Sequence, residues 1–131
     1  MSLTYAWRGP FTSAELSALH AAAFGPGPAV DRWARVNAHS LGWVCARDPA
    51  GRLAGFVNVA WDGGEHAFIL DTMVDGDFRR AGAGTRLVAL ASAEARAAGC
   101  HWLHVDFEDH LARFYLESCG FRATGAGLIA L

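Results

Sequence analysis

Val74-Asp75-Gly76-Asp77-Phe78-Arg79-Arg80-Ala81-Gly82-Ala83-Gly84-Thr85 is the stretch on which the reading of this chain turns. It joins an apolar strand-like run, His66 to Val74, to a helix-forming run, Ala83 to Ala98, that Gly99 stops. The first backbone N–H groups of a helix have no partner inside it, and glycines let a ligand approach the backbone with no Cβ in the way. The helix dipole, with Arg79 and Arg80 beside it, makes such a turn suited to a pyrophosphate. Two common phosphate motifs nevertheless fail here. The dinucleotide fingerprint would need its third glycine where Leu87 stands, and the Walker loop would need a lysine directly after its second glycine, where Ala83 follows Gly82.

Downstream of the turn, His101 to Phe107 reads as a strand and Asp109 to Cys119 as a helix ending at Gly120. Phe121 to Leu131 reads as a terminal hairpin. Strand, turn, helix and strand then form a right-handed βαβ unit. Upstream, Leu41 to Arg47 and Leu53 to Trp61 flank the turn Asp48-Pro49-Ala50-Gly51, and Asp62-Gly63-Gly64 makes a second turn before His66. The His66–Val74 run sets Phe68, Leu70 and Val74 on one face and Ala67, Ile69 and Met73 on the other. That pattern predicts a strand buried on both sides and central in its sheet. Further back, Leu3 to Trp7 is a first strand. Thr12-Ser13-Ala14-Glu15 is a capping box opening a helix with Leu16, Leu19, His20 and Ala23 on one face. Gly25-Pro26-Gly27-Pro28 ends that helix, and a second is expected from Val30 to His39 around Trp33.

The 131 residues fit a single domain spanning 1–131, and 53% hydrophobic with 18% charged residues is a composition that fills a core. All 11 basic residues are arginine. The absence of lysine excludes Schiff-base and pyridoxal phosphate chemistry as well as the Walker phosphate loop. A net charge of −2, with no basic run longer than Arg79-Arg80, argues against nucleic acid as a partner. Cys45, Cys100 and Cys119 form no C-x-x-C and read as small core residues of a reducing compartment. No apolar run is long enough to span a membrane and the start lacks a signal-peptide pattern, so a cytoplasmic protein with no membrane partner is expected.

Arg79, Gly82 and Gly84 form an R-x-x-G-x-G pattern, which resembles the coenzyme A signature of the GNAT superfamily of N-acetyltransferases. Phe114-Tyr115-Leu116-Glu117-Ser118-Cys119-Gly120-Phe121 is similar to the F-Y-x-x-x-G-F of that family's last helix, with one more residue between Tyr115 and Gly120, and it falls one strand after the glycine turn. Leu70-Asp71-Thr72-Met73-Val74 also resembles family members, with Gly76 where many have proline. The resemblance covers Leu41 to Leu131 and, more loosely, the N-terminal helices. It implies a mixed α/β fold, a central twisted mixed sheet flanked by helices on both faces. It also implies acetyl-CoA as cosubstrate, with no metal. The backbone around Met73 and Val74 would bind the pantetheine arm and polarise the thioester. Backbone N–H groups from Arg79 through Arg80, Ala81, Gly82, Ala83 and Gly84 to Thr85 would hold the pyrophosphate. Tyr115 would be the general acid for the leaving thiolate, or otherwise a core aromatic beside Leu111 and Phe114.

The acceptor side is less determined. Glu108 stands where many relatives carry asparagine; it is either a base or amine-binding group, or a helix cap shared with Asp109. Asp71, within a strand, must be paired or protonated, so a structural partner of an arginine or a turn is favoured over a base. His66 is a cleft residue or a solvent-edge histidine. His101, His104 and His110 make no convincing metal set. An acidic rim of Glu108, Asp109 and Asp62, with Glu65 and His66, would favour a cationic amine acceptor. The Gly25–Pro28 loop, with Phe24 and Trp33, either shapes the acceptor site or merely connects helices. Trp7, Trp43, Trp61 and Trp102 are core or dimer-interface residues, which leaves a homodimer open. The expected activity is N-acetylation of a primary amine on a small molecule or peptide. The rival is a non-catalytic acyl-CoA-binding domain of the same fold.

Overall fold

A computed structural model describes residues 2–26 and 32–131. Its strands are β1 (Thr4–Trp7), β2 (Ser40–Arg47), β3 (Leu53–Trp61), β4 (His66–Val74) and β5 (Trp102–His104). They form one five-stranded sheet in the order β1-β2-β3-β4-β5, antiparallel up to β4, with β5 parallel to β4. The helices are α1 (Ser13–Phe24), α2 (Trp33–Ala38) and α3 (Ala83–Ala97).

Alternation along the strands builds a core on each side of the sheet. Val44, Ala46, Val57, Val59, Ala67 and Ile69 face α3 and pack against its Leu87, Ala91 and Ala95. Cys45, Phe56 and Met73 face the other way, onto Leu16 and Leu19 of α1 and Trp33 of α2. Helices therefore cover both faces of a mixed sheet, as expected.

The capping box forms as read. Thr12 Oγ1 accepts from the Glu15 amide at 3.1 Å, and Glu15 Oε1 accepts from the Thr12 amide at 2.9 Å. The Glu15 carboxylate also meets Arg47 Nη1 at 2.6 Å, which fastens α1 to β2.

Four expectations need correction. The centre of the sheet is β3, buried from Leu53 to Val59, whereas β4 leaves Phe68 and Leu70 38% and 43% exposed. The strand expected from His101 to Phe107 is paired only from Trp102 to His104; the ladder ends at Phe68, ahead of the irregularity at Asp71 and Thr72 on β4. The helix expected from Asp109 to Cys119 is a 3₁₀ turn, Asp109–Leu111, followed by a π-helical stretch, Arg113–Ser118, with Cys119 N–H donating to Phe114 O. No hairpin follows it. Beyond Phe121 the chain forms no strand, and Leu128, Ile129 and Leu131 are exposed with no buried partner to fix a register. The second helix starts at Trp33, and part of its expected span, together with Gly27 and Pro28, lies outside the described residues.

Candidate active site

A bulge in β4 creates the site. Phe56 pairs with Met73 and Asn58 with Leu70, so Val57 alone faces both Asp71 and Thr72. Asp71 takes a positive φ of 55°, a conformation that aspartate tolerates better than most side chains. The extra residue reverses the alternation. Ile69 packs toward α3, but Met73 packs toward α1 and α2, not on the face it would share with Ile69 in a regular strand. Simple periodicity could not show this.

Beyond Phe68 and His104 the two parallel strands make no further ladder pairs, and an opening lies between them. Tyr115 stands in it. Its ring stacks on Phe107 at 5.1 Å and meets Phe114 and Phe121 edge-on. The residue is only 7% exposed, and burial raises the phenol pKa above its ordinary value. The Thr72 hydroxyl nearby acts in the opposite direction, but the two groups are not aligned as a hydrogen bond. Thr72 Oγ1 is consequently buried with no partner.

The glycine turn lies at the end of β4. Asp75 Oδ1 accepts from the Asp77 amide at 3.0 Å and begins a 3₁₀ helix, Gly76–Ala81, while its Oδ2 meets Arg52 at 3.0 Å. Gly82 has a left-handed φ of 78° and turns the chain into α3, whose start has no side-chain cap. Gly84 fits for another reason: a Cβ there would stand 3.0 Å from the Phe114 ring. Arg79 is exposed and lays its guanidinium along the backbone, with Nε donating to Val74 O at 3.2 Å and Nη2 to Ala23 O at 3.5 Å. Its side chain braces the turn against β4 and α1.

An uncapped helix start next to an orphaned hydroxyl and a strand opening fits an extended cosubstrate with an anionic end. The Met73–Val74 segment ends β4, and the backbone of Arg79 to Thr85 follows it through the 3₁₀ helix into α3.

The proposed acidic rim is divided. Asp62, which accepts from the Gly64 and His66 amides, and Glu65, beside His101, lie where β4 and β5 begin. Glu108 and Asp109 follow the far end of β5. Glu108 is exposed, makes no capping bond and lies 3.5 Å from His110. Asp71 is half-buried, and its expected ion-pair partner is not within contact distance among the described residues. Burial raises its pKa, with the charges of Arg32 and His20 opposing the rise. His66 Nδ1 approaches His104 Nε2 at 2.7 Å, and Phe68 stacks on His104, so these residues pair with one another between the start of β4 and the end of β5, at the last ladder pair. Among the described residues no group of three His, Cys, Asp or Glu gathers to hold a metal, and no helix is long and apolar enough to cross a membrane.

On the α2 side of the bulge is a groove of about 440 Å³. It is lined by Arg32, Arg35 and His39, with Asn58, Ala60 and Leu70 along the sheet. Sequence reasoning missed it, since its members are scattered over three elements with no spacing in common.

Residues 4–121 match the profile of the acetyltransferase (GNAT) family, and the chain belongs to that family. No curated protein matches it. Among solved structures it is similar to a GNAT family acetyltransferase from Streptococcus pneumoniae, 21% identical over 98% of each chain, with a TM-score of 0.79. It is also similar to glucosamine-6-phosphate N-acetyltransferase from Arabidopsis thaliana, 17% identical over 98% of each chain, with a TM-score of 0.76. A third is a GNAT family N-acetyltransferase from Escherichia coli in complex with CoA, 17% identical over 92% of this chain and 68% of that one, with a TM-score of 0.71. At these identities the likeness is one of fold.

Proposed function

We propose that this protein transfers an acetyl group from acetyl-CoA to a primary amine of a small molecule or peptide. The carrying observation is the end of the β4–β5 ladder at Phe68 and His104, with Tyr115 stacked on Phe107 beyond it and the start of α3 left without a side-chain cap. The neighbouring E. coli protein in complex with CoA and the N-acetylating neighbour from A. thaliana support the same reading.

In this reaction the amine lone pair attacks the thioester carbonyl carbon, the C–S bond breaks, and the sulfur leaves as a thiolate that takes up a proton. The amine must lose a proton to become nucleophilic and to finish as an amide. Backbone groups at Met73 and Val74 polarise the thioester carbonyl, and N–H groups from Arg79 through Arg80, Ala81, Gly82, Ala83 and Gly84 to Thr85 cradle the pyrophosphate. Tyr115, whose raised pKa keeps it protonated, supplies the proton to sulfur. Two carboxylates compete for the amine's proton. Glu108 is solvated beyond β5, whereas Asp71 sits at the bulge with a pKa raised toward the range useful to a base, which favours Asp71.

The test pairs a thermal shift with a thiol-release assay. Acetyl-CoA should raise the melting temperature, and CoA should be released when an amine acceptor is added. Gly82→Asp, which sets a carboxylate where the pyrophosphate belongs, should abolish the shift. No shift and no calorimetric heat with the native protein would overturn the cosubstrate assignment. A shift without thiol release across a broad amine panel would leave a binding domain in place of an enzyme.

A further inference from the structure

We infer that the groove beside Asn58 receives the anionic end of the acceptor, so that the amine substrate also carries a carboxylate or a phosphate. The inference rests on the acetyltransferase reading, because the groove adjoins the segment assigned to the thioester. Leu70 lines the groove, and Asp71, Thr72 and Met73 follow it directly on β4.

Asn58 provides the strongest reason for a polar ligand. It is only 1% exposed, on the most buried strand of the sheet. Ser40 Oγ lies 2.7 Å from Val36 O and 2.8 Å from Asn58 Oδ1. A hydroxyl has one proton, so it cannot donate to both. If Ser40 donates to Val36 O, the Asn58 amide turns its NH₂ toward Ser40 and leaves its oxygen without a partner. If Ser40 donates to Asn58, the NH₂ is left. In either orientation one end of the Asn58 amide makes no hydrogen bond to another described residue, and Asn58 lines the groove, where a polar ligand can meet that end.

The rim determines the sign of the ligand. Among the described residues Arg32, Arg35 and His39 line the groove, no carboxylate does, and no ion pair holds Arg35. A planar guanidinium suits a carboxylate or phosphate, which it can bind through paired N–H donors. Ala60 and Leu70 give the carbon skeleton an apolar wall, and a space of about 440 Å³ is of small-molecule size. Asp71 beyond Leu70 then meets the amine end. A second ammonium in place of the anion would face Arg35 and be repelled.

Four matched two-carbon amines test this: ethanolamine, β-alanine, phosphoethanolamine and 1,2-diaminoethane. Acetyl transfer is measured by thiol release, and acceptor binding by calorimetry on protein holding CoA, for the native chain and for Arg35→Glu. β-Alanine or phosphoethanolamine should exceed ethanolamine in kcat/KM by about tenfold or more, with diaminoethane lowest. The better of the two anions identifies carboxylate or phosphate. Arg35→Glu should erase that advantage through KM and leave the melting temperature near its native value. Equal or better use of ethanolamine or diaminoethane, or an advantage that survives Arg35→Glu, overturns the inference and leaves the acetyltransferase intact. If no amine is acetylated, the enzyme reading fails on its own. Calorimetry then decides the groove: an anionic amine bound by the native chain and lost in Arg35→Glu supports it, and no binding overturns it.

Discussion

Gly84 and Phe114 interlock: a Cβ at the glycine would lie 3.0 Å from both Cε1 and Cζ of the phenyl ring. The glycine turn and the last helical stretch are thereby fitted to each other, and Tyr115 is the next residue along. Gly84→Ala should cost about 1–3 kcal/mol by overpacking and lower kcat by displacing Tyr115. Gly82 has no neighbour within 4 Å of a Cβ but needs its φ of 78°. Gly82→Ala should therefore cost about 1–2 kcal/mol from backbone strain, and Gly82→Asn should recover most of it. Thermal unfolding of the three variants checks both statements, and a fully stable and active Gly84→Ala would remove the link.

Tyr115→Phe keeps the stacking on Phe107 and the edge contacts with Phe114 and Phe121. Stability should change little. If the phenol protonates the thiolate, kcat should fall about 10²-fold with acetyl-CoA affinity retained. Because burial raises the phenol pKa above 10.0, the basic limb in the native enzyme should lie beyond that value. An unchanged kcat would assign the proton to solvent.

Asp71→Asn separates base from scaffold. Asparagine accepts the positive φ, so the bulge should persist. The raised carboxyl pKa means that the folded state holds this proton more tightly than the unfolded chain does. The stability this contributes is present at low pH and lost as pH rises through the folded pKa. At neutral pH the variant should accordingly melt at a higher temperature than the native protein, yet have lower kcat/KM and no acid limb from this group. An unaltered pH–rate profile would return the role to Glu108.

The Glu15 carboxyl is depressed to about 2, first by its hydrogen bond from Arg47 and then by the Thr12 amide. A depressed carboxyl stabilises the fold above the unfolded value of 4.5 and loses that contribution as pH falls through about 2. Glu15→Gln should melt below the native protein at pH 7, with the gap closing steadily between those limits. A gap of constant size down to pH 2 would show that packing, not charge, separates the two.

The parts legible in the sequence are those fixed by local chemistry. The Thr12–Glu15 box and the Asp48–Gly51 and Asp62–Gly64 turns each depend on residues adjacent in the chain. Non-local pairing was harder to read. Both faces of His66–Val74 are apolar, which made β4 resemble the central strand, although β3 holds that place. The bulge at Asp71 has no sequence signal beyond a residue able to tolerate positive φ, and it places Met73 opposite the face that alternation gives. The terminal hairpin does not form because Phe121 packs on Tyr115 while Leu128, Ile129 and Leu131, after Gly125 and Gly127, are exposed. Asn58 and Arg35 carry no motif. They become informative only when Ser40 and α2 are brought to them.

Three paired residues join β5 to β4, and rigidity is therefore distributed unevenly across the sheet. Amides shared between β2 and β3 should exchange with deuterium only through global unfolding, whereas those of β4 directed toward the opening are exposed to small, frequent excursions. A bound cosubstrate lying along that margin would slow their exchange and leave the β2–β3 ladder as it was. The isotope pattern at Leu70 to Val74 would then report occupancy of the cleft in a protein that has turned over nothing.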